Sequence, residues 1–293
     1  MSSLSGKVVF ITGGARGVGA EVARRLRARG ARLVLTDLDE APLAELAAEL
    51  GGDTHVLTAL ADVRDLPAMQ RAADAAVQRF GGIDIVLANA GIASFGSVRQ
   101  VDPEAFQRVV EVNVVGVFNT VRATLPAVID RRGYVLVVSS LAAFTSSPGL
   151  SAYHASKAGA EYFANTLRLE VAHLGVDVGS AHMSWIDTPL VQDAKADLSA
   201  FREMLSKLPT PLNRTTTVEA CGEAFVKGIE GRRTRIYCPG WVGAFRWIRP
   251  LVTTRVVEQR IGALTPELLP KLDAEVAALG RSLSARTEAL EKP

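Results

Sequence analysis

Three side chains suited to proton transfer lie close together in this sequence, at Ser140, Tyr153 and Lys157. Tyr153 and Lys157 are four residues apart on a predicted helix, so both project from one face. Ser140 directly follows the apolar run Tyr134–Ser139, which we predict to be a strand. A phenol, an ammonium group and a hydroxyl that meet at the end of a strand could move a proton while a hydride leaves the same substrate. A Tyr-x-x-x-Lys pair alone is more often a solvated helix face, so this chemistry requires a hydride acceptor nearby.

A glycine-rich segment near the start of the chain predicts where that acceptor binds. Thr12–Gly19 follows a predicted strand and precedes a predicted helix, which is the context of a phosphate-binding loop. Gly13 permits the tight turn, Gly17 allows the backbone to approach a pyrophosphate, and Gly19 allows the helix to pack on the sheet. The N–H groups at the helix N-terminus would face the anion. Taken alone, a glycine-rich turn is often only a turn.

Asp37 lies at the end of the second predicted strand, where a ribose-binding carboxylate is expected. Its charge would repel a 2′-phosphate by about 4 kcal/mol per unit-charge pair at 4 Å and an effective dielectric near 20. The sequence therefore favours NAD over NADP. Arg16 leaves NADP open, because its side chain could lean toward a phosphate. The alternative role for Asp37 is a cap of the helix Ala41–Leu50.

Polar residues also follow the third and fourth predicted strands. Asp62, with Val63, is expected to face an adenine amino group, and Asn89 is expected to clamp backbone groups of neighbouring strands. Each is also a common turn residue. Asn113 lies in the middle of a predicted helix among apolar neighbours, so its amide needs a partner. We expect it to hold a water near Lys157.

Short apolar runs alternate with helical patterns throughout most of the chain. This alternation predicts a Rossmann-type α/β fold, a doubly wound parallel sheet of about seven strands with helices on both faces. We predict one domain over residues 1–240 and a helical C-terminal extension over 241–293 packed on it. The predicted strands are Val8–Ile11, Arg32–Thr36, His55–Leu60, Ile83–Leu87, Tyr134–Ser139, Val176–Ala181 and Arg235–Cys238. The predicted helices before the extension are Gly17–Arg29, Ala41–Leu50, Leu66–Phe80, Pro103–Leu125, Ala152–Leu174 and Thr217–Glu230.

Composition excludes several other classes of protein. The chain has 33 basic and 31 acidic residues, which gives no support for a nucleic-acid partner. Cys221 and Cys238 have neither metal-ligand spacing nor a disulfide framework, so we expect no metal site and two reduced core cysteines. The start of the chain shows no secretory leader, and no apolar run approaches the roughly 20 residues that span a bilayer. We therefore expect a cytoplasmic protein.

With these residues identified, the sequence resembles the short-chain dehydrogenase/reductase family in its common single-domain form. The TGxxxGxG motif is matched by Thr12–Gly19, NAG by Asn89–Gly91, and YxASK by Tyr153–Lys157. The resemblance covers about residues 5–190. Each motif is modest alone, but their order and spacing together are highly specific.

The resemblance implies an NAD(P)-dependent oxidoreductase that acts on a secondary alcohol or its ketone. The family's catalytic tetrad corresponds to Asn113, Ser140, Tyr153 and Lys157. Tyr153 would exchange the substrate proton, Ser140 would hold the substrate oxygen, and Lys157 would bind the nicotinamide ribose and lower the pKa of the tyrosine. Cofactor binding is implied for Gly13, Arg16, Gly17, Val18, Gly19, Asp37, Asp62, Val63, Asn89, Tyr153, Lys157, Ile186 and Thr188. The alternative is an NAD(P)-binding regulatory or scaffold protein of the same fold without turnover.

One wall of the implied pocket departs from the family pattern. Met183 and Ser184 stand where the family usually has Pro-Gly. Thr188 still matches the residue that bonds the nicotinamide amide or a phosphate, and the Ile186 backbone could bond the carboxamide. Trp185 either narrows the pocket or packs as a core aromatic.

The segment 190–213 corresponds to the family's substrate lid. It carries apolar residues at helical spacing, which could close on an apolar substrate or make ordinary core contacts: Leu198, Phe201, Met204, Leu205 and Leu208.

The extension begins with an aromatic and basic stretch, 241–257, followed by a predicted helix Thr265–Leu290. The stretch could wall the pocket or a subunit interface, contact a membrane surface, or cap the fold. The resemblance also implies a small-molecule substrate and a homodimer or homotetramer.

Overall fold

The computed structural model describes residues 4–252 and 254–290, without the side chains of Arg260 and Ile261. Seven parallel strands form one sheet in the order β3-β2-β1-β4-β5-β6-β7. The strands are β1 (Val8–Thr12), β2 (Arg32–Asp37), β3 (Val56–Leu60), β4 (Ile85–Ala88), β5 (Tyr134–Val138), β6 (Asp177–Met183) and β7 (Arg235–Cys238). The predicted fold class is confirmed. The strand ends differ from the prediction by two residues or fewer.

The first nine helices connect successive strands, and the last four described helices follow β7. They are α1 (Gly17–Ala28), α2 (Glu40–Glu49), α3 (Leu66–Phe80), α4 (Pro103–Val110), α5 (Gly116–Asp130), α6 (Ser151–Val171), α7 (Pro189–Asp197), α8 (Ser199–Lys207), α9 (Val218–Glu230), α10 (Val242–Val252), α11 (Arg255–Gly262), α12 (Thr265–Leu279) and α13 (Ala285–Ala289). Several begin at side-chain caps: Asp65 for α3, Asp102 for α4 and Thr217 for α9.

Alternate residues of the strands divide the core into two layers, because successive side chains point to opposite faces of a sheet. Val9 and Ile11 pack with residues of α1, α2 and α9 on one face. Val8 and Phe10 pack with residues of α3, α5 and α6 on the other. Both faces of the sheet are covered, which explains why the strands are almost uninterrupted apolar runs.

A π-helical turn, Glu111–Val115, interrupts the helix predicted over Pro103–Leu125 and joins α4 to α5. Such a turn shifts the side chains that follow and often marks a functional site. The combined stretch Pro103–Asp130 is long and apolar enough to cross a membrane by length and composition, contrary to our expectation from sequence. Its most apolar window is 56% buried inside the structure, and α5 packs on β4 and β5. The structure therefore places this stretch in the protein core, packed against the sheet.

The predicted helix Thr265–Leu290 is wrong in its second half. The helix α12 ends at Leu279, and Gly280 has a left-handed φ of 63° that ends it. A second, short helix, α13, begins after the capping residue Ser284. The predicted ranges 1–240, 241–257 and 241–293 include residues 1–3, 253 and 291–293, which lie outside the described residues.

Candidate active site

A cleft of about 290 Å³ lies at the carboxyl ends of the central strands. Ligands of open parallel sheets bind at this edge, where the strand order reverses between β1 and β4. The cleft is lined by most of the residues predicted from sequence: Gly13, Arg16, Gly17, Val18, Asp37, Asp62, Val63, Asn89, Tyr153, Lys157 and Thr188. Four predicted site residues do not line the cleft: Gly19, Asn113, Ser140 and Ile186.

The loop between β1 and α1 leaves no room for side chains at two of its glycines. Gly13 has a φ of 62°, and a Cβ there would lie 2.9 Å from the Ala90 Cα. A Cβ at Gly19 would collide with the Gly13 carbonyl oxygen, so α1 can cross the loop closely only with glycine. The Asn89 amide donates to the carbonyl oxygens of Thr12 and Gly13, both at 3.0 Å, and joins β4 to the loop.

The N-terminus of α1 faces this loop without a side-chain cap. Its N-cap residue is Arg16, whose side chain makes no capping hydrogen bond, and the first turn carries no acidic residue. The first N–H groups of a helix have no partner within the helix. Together with the partial positive charge of the helix end, they can bind a phosphate.

Asp37 organises the second part of the cleft. Its carboxylate accepts hydrogen bonds from the backbone N–H groups of Ala15 at 2.9 Å, Leu38 at 2.8 Å and Asp39 at 3.2 Å. The proposed helix cap at Asp37 is wrong, because Asp39 is the N-cap residue of α2. Arg16 does not lean freely into the cleft either, since its guanidinium pairs with Asp39 at 2.6 Å. Two carboxylates therefore lie beside the expected ribose position.

Asp62 and Val63 line the cleft beyond β3. The Asp62 carboxylate binds the Arg64 guanidinium at 2.5 and 2.8 Å and accepts the Arg64 backbone N–H at 2.9 Å. Burial raises the pKa of Asp62, but the hydrogen bonds and charge of Arg64 outweigh it and hold the pKa below its usual value. Asp62 is thus an anion fixed in position by Arg64.

The helix α6 and the end of β5 bring the three proton-transfer side chains together. The Ser140 hydroxyl lies close enough to the Tyr153 phenol to lower the pKa of the phenol by hydrogen bonding. The Lys157 Nζ lies 5.7 Å from the centre of the Tyr153 ring and donates to the Val138 carbonyl at 3.1 Å. Ser139 is fully buried and donates to the Lys157 carbonyl at 2.9 Å, so it joins α6 to β5 and does not reach the cleft.

The environment of this group sets its protonation. Burial raises the pKa of Tyr153, and hydrogen bonding with Ser140 lowers it less, so the net shift is upward. Burial also lowers the pKa of Lys157 to about 8. Burial thus sets the net direction of the Tyr153 pKa shift in the protein alone, and the expected effect of Lys157 on the phenol stays a prediction. A buried ammonium is itself destabilised, and the apolar surroundings penalise the phenolate more strongly than Ser140 stabilises it.

Asn113 lies behind the cleft, in the π-helical turn, and is fully buried. Its Oδ1 accepts the Ile92 N–H at 2.9 Å, and its Nδ2 donates to the Ile92 carbonyl and the Ser156 hydroxyl, both at 2.9 Å. The amide thus holds the loop after β4 against α6. A Cβ on Gly91 would lie 3.1 Å from the Lys157 Nζ and 3.2 Å from the Asn113 Oδ1, so this glycine brings the two side chains close.

The departure from the family pattern occurs where β6 ends. The Met183 carbonyl accepts from the Ser140 hydroxyl at 3.3 Å, and the Ser184 N–H donates to the Cys238 carbonyl at 2.9 Å. Thr188 is the N-cap residue of α7 and lines the cleft. Ile186 is buried and its carbonyl accepts the Thr188 N–H at 2.7 Å.

The lid segment is packed on the extension. Leu198, Phe201 and Leu205 are buried in a cluster with Leu272 and Val276 of α12. Trp185 contacts Phe201 edge-on at 5.4 Å in the same cluster, as a packed aromatic. The apolar face of the lid is thus used largely for core contacts.

Sequence reasoning missed a group of cleft residues at the far end of the chain: Ser284, Arg286, Thr287 and Leu290. The sequence offered Gly280 followed by Ser284, a preferred N-cap residue. These two residues predict that one helix ends and another begins, but they do not predict where the segment lies.

Comparison with known proteins identifies the family. Residues 7–199 match the family model described as short chain dehydrogenase. An uncharacterized NAD-dependent oxidoreductase of Mycobacterium tuberculosis is 36% identical over 207 residues, which cover 65% of this chain and 75% of the relative.

Two solved structures are similar over almost their whole length. A short chain dehydrogenase from Mycobacterium paratuberculosis bound to NAD has a TM-score of 0.70 and 26% identity, covering 80% of this chain and 97% of that one. Levodione reductase has a TM-score of 0.74 and 27% identity, covering 82% and 98%. The chain therefore belongs to the short-chain dehydrogenase family of oxidoreductases.

Proposed function

We propose that this protein transfers a hydride between NAD(H) and a secondary alcohol or its ketone, with Tyr153 as the general acid and base. The observation that carries the proposal is the meeting of Ser140, Tyr153 and Lys157 beside a cleft whose other end is a glycine-rich helix N-terminus.

The residues of the cleft fit a nicotinamide dinucleotide. The uncapped start of α1 suits the pyrophosphate. Gly19 allows this helix end to lie close to the loop, because a Cβ there would collide with the Gly13 carbonyl. Asp37 suits the adenosine ribose, and Lys157 and Thr188 would hold the nicotinamide end. When bound, the dinucleotide supplies or accepts the hydride.

Proton transfer falls to Tyr153. A phenol is protonated near neutral pH, and burial raises the pKa of Tyr153 further, so Tyr153 can donate its proton to a ketone oxygen as hydride reaches the carbonyl carbon. In the reverse direction the phenolate takes the hydroxyl proton as hydride leaves the carbinol carbon. Ser140 orients the same oxygen by hydrogen bonding. Asn113, bound to Ile92 and Ser156, holds the loop and the helix that flank Lys157.

The substrate we propose has a compact apolar body. Phe95, Met183, Leu190 and Leu290 line the cleft together with Tyr153. The lid residues Leu198, Phe201 and Leu205 are buried against α12 and leave little apolar surface for a long chain.

We propose NAD as the preferred cofactor. Asp37 places a negative charge beside the ribose, and Asp39 neutralises Arg16, which is the cation that a 2′-phosphate would need.

We further propose a homo-oligomer. Phe118 of α5 and Tyr162 and Leu169 of α6 are 48%, 62% and 80% exposed, and the two helices are neighbours, since Phe118 meets Phe163 edge-on at 6.3 Å. Exposed apolar residues clustered on adjacent helices are typical of subunit contacts.

The test is a panel of secondary alcohols and ketones, followed at the nicotinamide absorbance with both cofactors. Tyr153→Phe should lower turnover by about 100-fold or more, because it removes the acid and base, while NADH binding persists. Tyr162→Phe is the matched control, since it is an exposed tyrosine on the same helix. A Tyr153→Phe protein with wild-type turnover would refute the proposed role. Dinucleotide binding without turnover on any substrate would favour the regulatory alternative.

A further inference from the structure

The segment Arg281–Leu290 lies outside the residues 7–199 that match the family model, yet part of it lines the cleft. It follows α12, which packs on the lid through Leu272 and Val276. The left-handed residue Gly280 ends that helix and turns the chain back toward the cleft.

The first part of the segment is anchored firmly on both sides. The Ser282 carbonyl accepts the Phe95 N–H at 2.9 Å, and its hydroxyl accepts the Asp102 N–H at 3.1 Å. Arg281 pairs with Asp197 at the end of α7 at 2.7 Å. Leu283 is buried with residues of α4 and α6. These contacts fix where the segment enters the cleft.

The second part is held much less tightly. The helix α13 has five residues and none of them is buried. Helices this short are not stable by themselves. Ser284, Arg286, Thr287 and Leu290 face the cleft, and Arg286 pairs with Asp193 of α7 at 3.2 Å. The two side chains are 39% and 22% exposed, and ion pairs with this exposure stabilise only weakly.

Asp193 also lines the cleft, and so do Thr188 and Leu190 of the same region. Thr188 in turn lies near the glycine loop, because a Cβ on Gly17 would be 3.4 Å from the Thr188 Cγ2. The pair between Arg286 and Asp193 therefore joins the end of the chain to the helix that borders the phosphate loop.

We propose that the segment Ser284–Leu290 is a strap across the dinucleotide cleft and that Arg286 is the positioning residue that latches it to Asp193. This inference rests on the proposed function, because it takes NAD(H) as the molecule in the cleft. A firmly anchored start and a weakly held end allow the strap to open for exchange and to close over the bound dinucleotide. The strap thereby slows cofactor release.

The experiment measures the rate of NADH dissociation by stopped-flow fluorescence, and the dissociation constant by titration, in the full-length protein. Arg286→Ala should release NADH at least 3-fold faster than wild type. The exchanged pair Asp193→Arg with Arg286→Asp should return the rate to within 2-fold of wild type, since the attraction is restored. A chain ending at Ser284 keeps the anchors and should release NADH as fast as Arg286→Ala or faster.

The matched control is Arg24→Ala, which removes a partly exposed pair with Glu49 between α1 and α2. It should leave NADH release unchanged. Wild-type release rates in both Arg286→Ala and the shortened chain would overturn the strap and leave the proposed function intact. A wild-type protein that binds neither NADH nor NADPH would overturn the proposed function and the strap together.

Discussion

Replacing Asp37 with asparagine should shift the cofactor preference toward NADP. The asparagine Oδ1 can still accept the backbone N–H groups of Leu38 and Asp39, whereas the hydrogen bond from Ala15 to the second carboxylate oxygen is lost. The substitution therefore removes the charge and keeps most of the hydrogen bonds.

The magnitude follows from Coulomb's law. Two unit charges 4 Å apart repel by about 4 kcal/mol at an effective dielectric of 20 and by about 1 kcal/mol in bulk water. Asp37 is partly exposed, so a value of about 1 to 2 kcal/mol is appropriate. Since every 1.4 kcal/mol is a factor of ten, the ratio of kcat/KM for NADP to that for NAD should rise about 5- to 30-fold.

Adding Asp39→Asn should increase that ratio further, because it frees the Arg16 guanidinium from its 2.6 Å pair. The assay compares both cofactors at low and high salt, and the gain should shrink at high salt as the charges are screened. A ratio that stays within 2-fold of wild type in the double variant would refute the placement of the ribose beside Asp37.

Three further substitutions test individual contacts. Ser140→Ala should lower kcat/KM 10-fold or more, whereas Ser139→Ala should cost about 1 kcal/mol of unfolding free energy through its buried hydrogen bond. His182 is fully buried, and burial lowers its pKa to about 4, so the unfolded chain binds more protons between pH 4 and pH 6.5. Stability should therefore fall as the pH falls through that window, by up to roughly 3 kcal/mol, and His182→Gln should lose this dependence. Gly19→Ala should cost about 1 to 3 kcal/mol of stability and weaken NADH binding, because its Cβ meets the Gly13 carbonyl.

Chemical denaturation at several pH values measures the unfolding free energies, and NADH titration measures cofactor binding. Gly240→Ala is the control for the glycine variant, since a Cβ there meets nothing within 4 Å. Equal stability of Gly19→Ala and Gly240→Ala would contradict the packing argument. If the unfolding free energies of wild type and His182→Gln depend on pH in the same way, the His182 imidazole is not the cause of the loss of stability at low pH. A larger loss of kcat/KM in Ser139→Ala than in Ser140→Ala would reverse the roles of the two serines.

Much of the site was predictable because its parts are local in sequence. The spacing of Tyr153 and Lys157 places both on one face of α6 whatever the surroundings, and Thr12–Gly19 forms its loop from its own glycines. The carboxyl ends of parallel strands meet at one edge, so residues that follow different strands reach the same cleft. Asn89 joins the loop for this reason.

What could not be predicted depends on contacts between distant parts of the chain. The partner of Arg16 is Asp39, and the partners of Asn113 are Ile92 and Ser156. Each contact forms only when two separate parts of the chain pack together. Local sequence patterns do not predict the distance between such parts. The predicted helix over Thr265–Leu290 failed because periodicity continued through Gly280, where the backbone turns.

The sequence alone therefore determined the fold class, the family and the motifs, because strand and helix periods and short-range spacing specify local structure. The tertiary structure alone decided the direction in which the pKa of Tyr153 shifts, because burial sets the solvation of a phenol. It also decided that the lid's apolar face packs on α12 and that Arg286 reaches the cleft. Both outcomes depend on how the last helices pack against the sheet domain, which is a property of the assembled core.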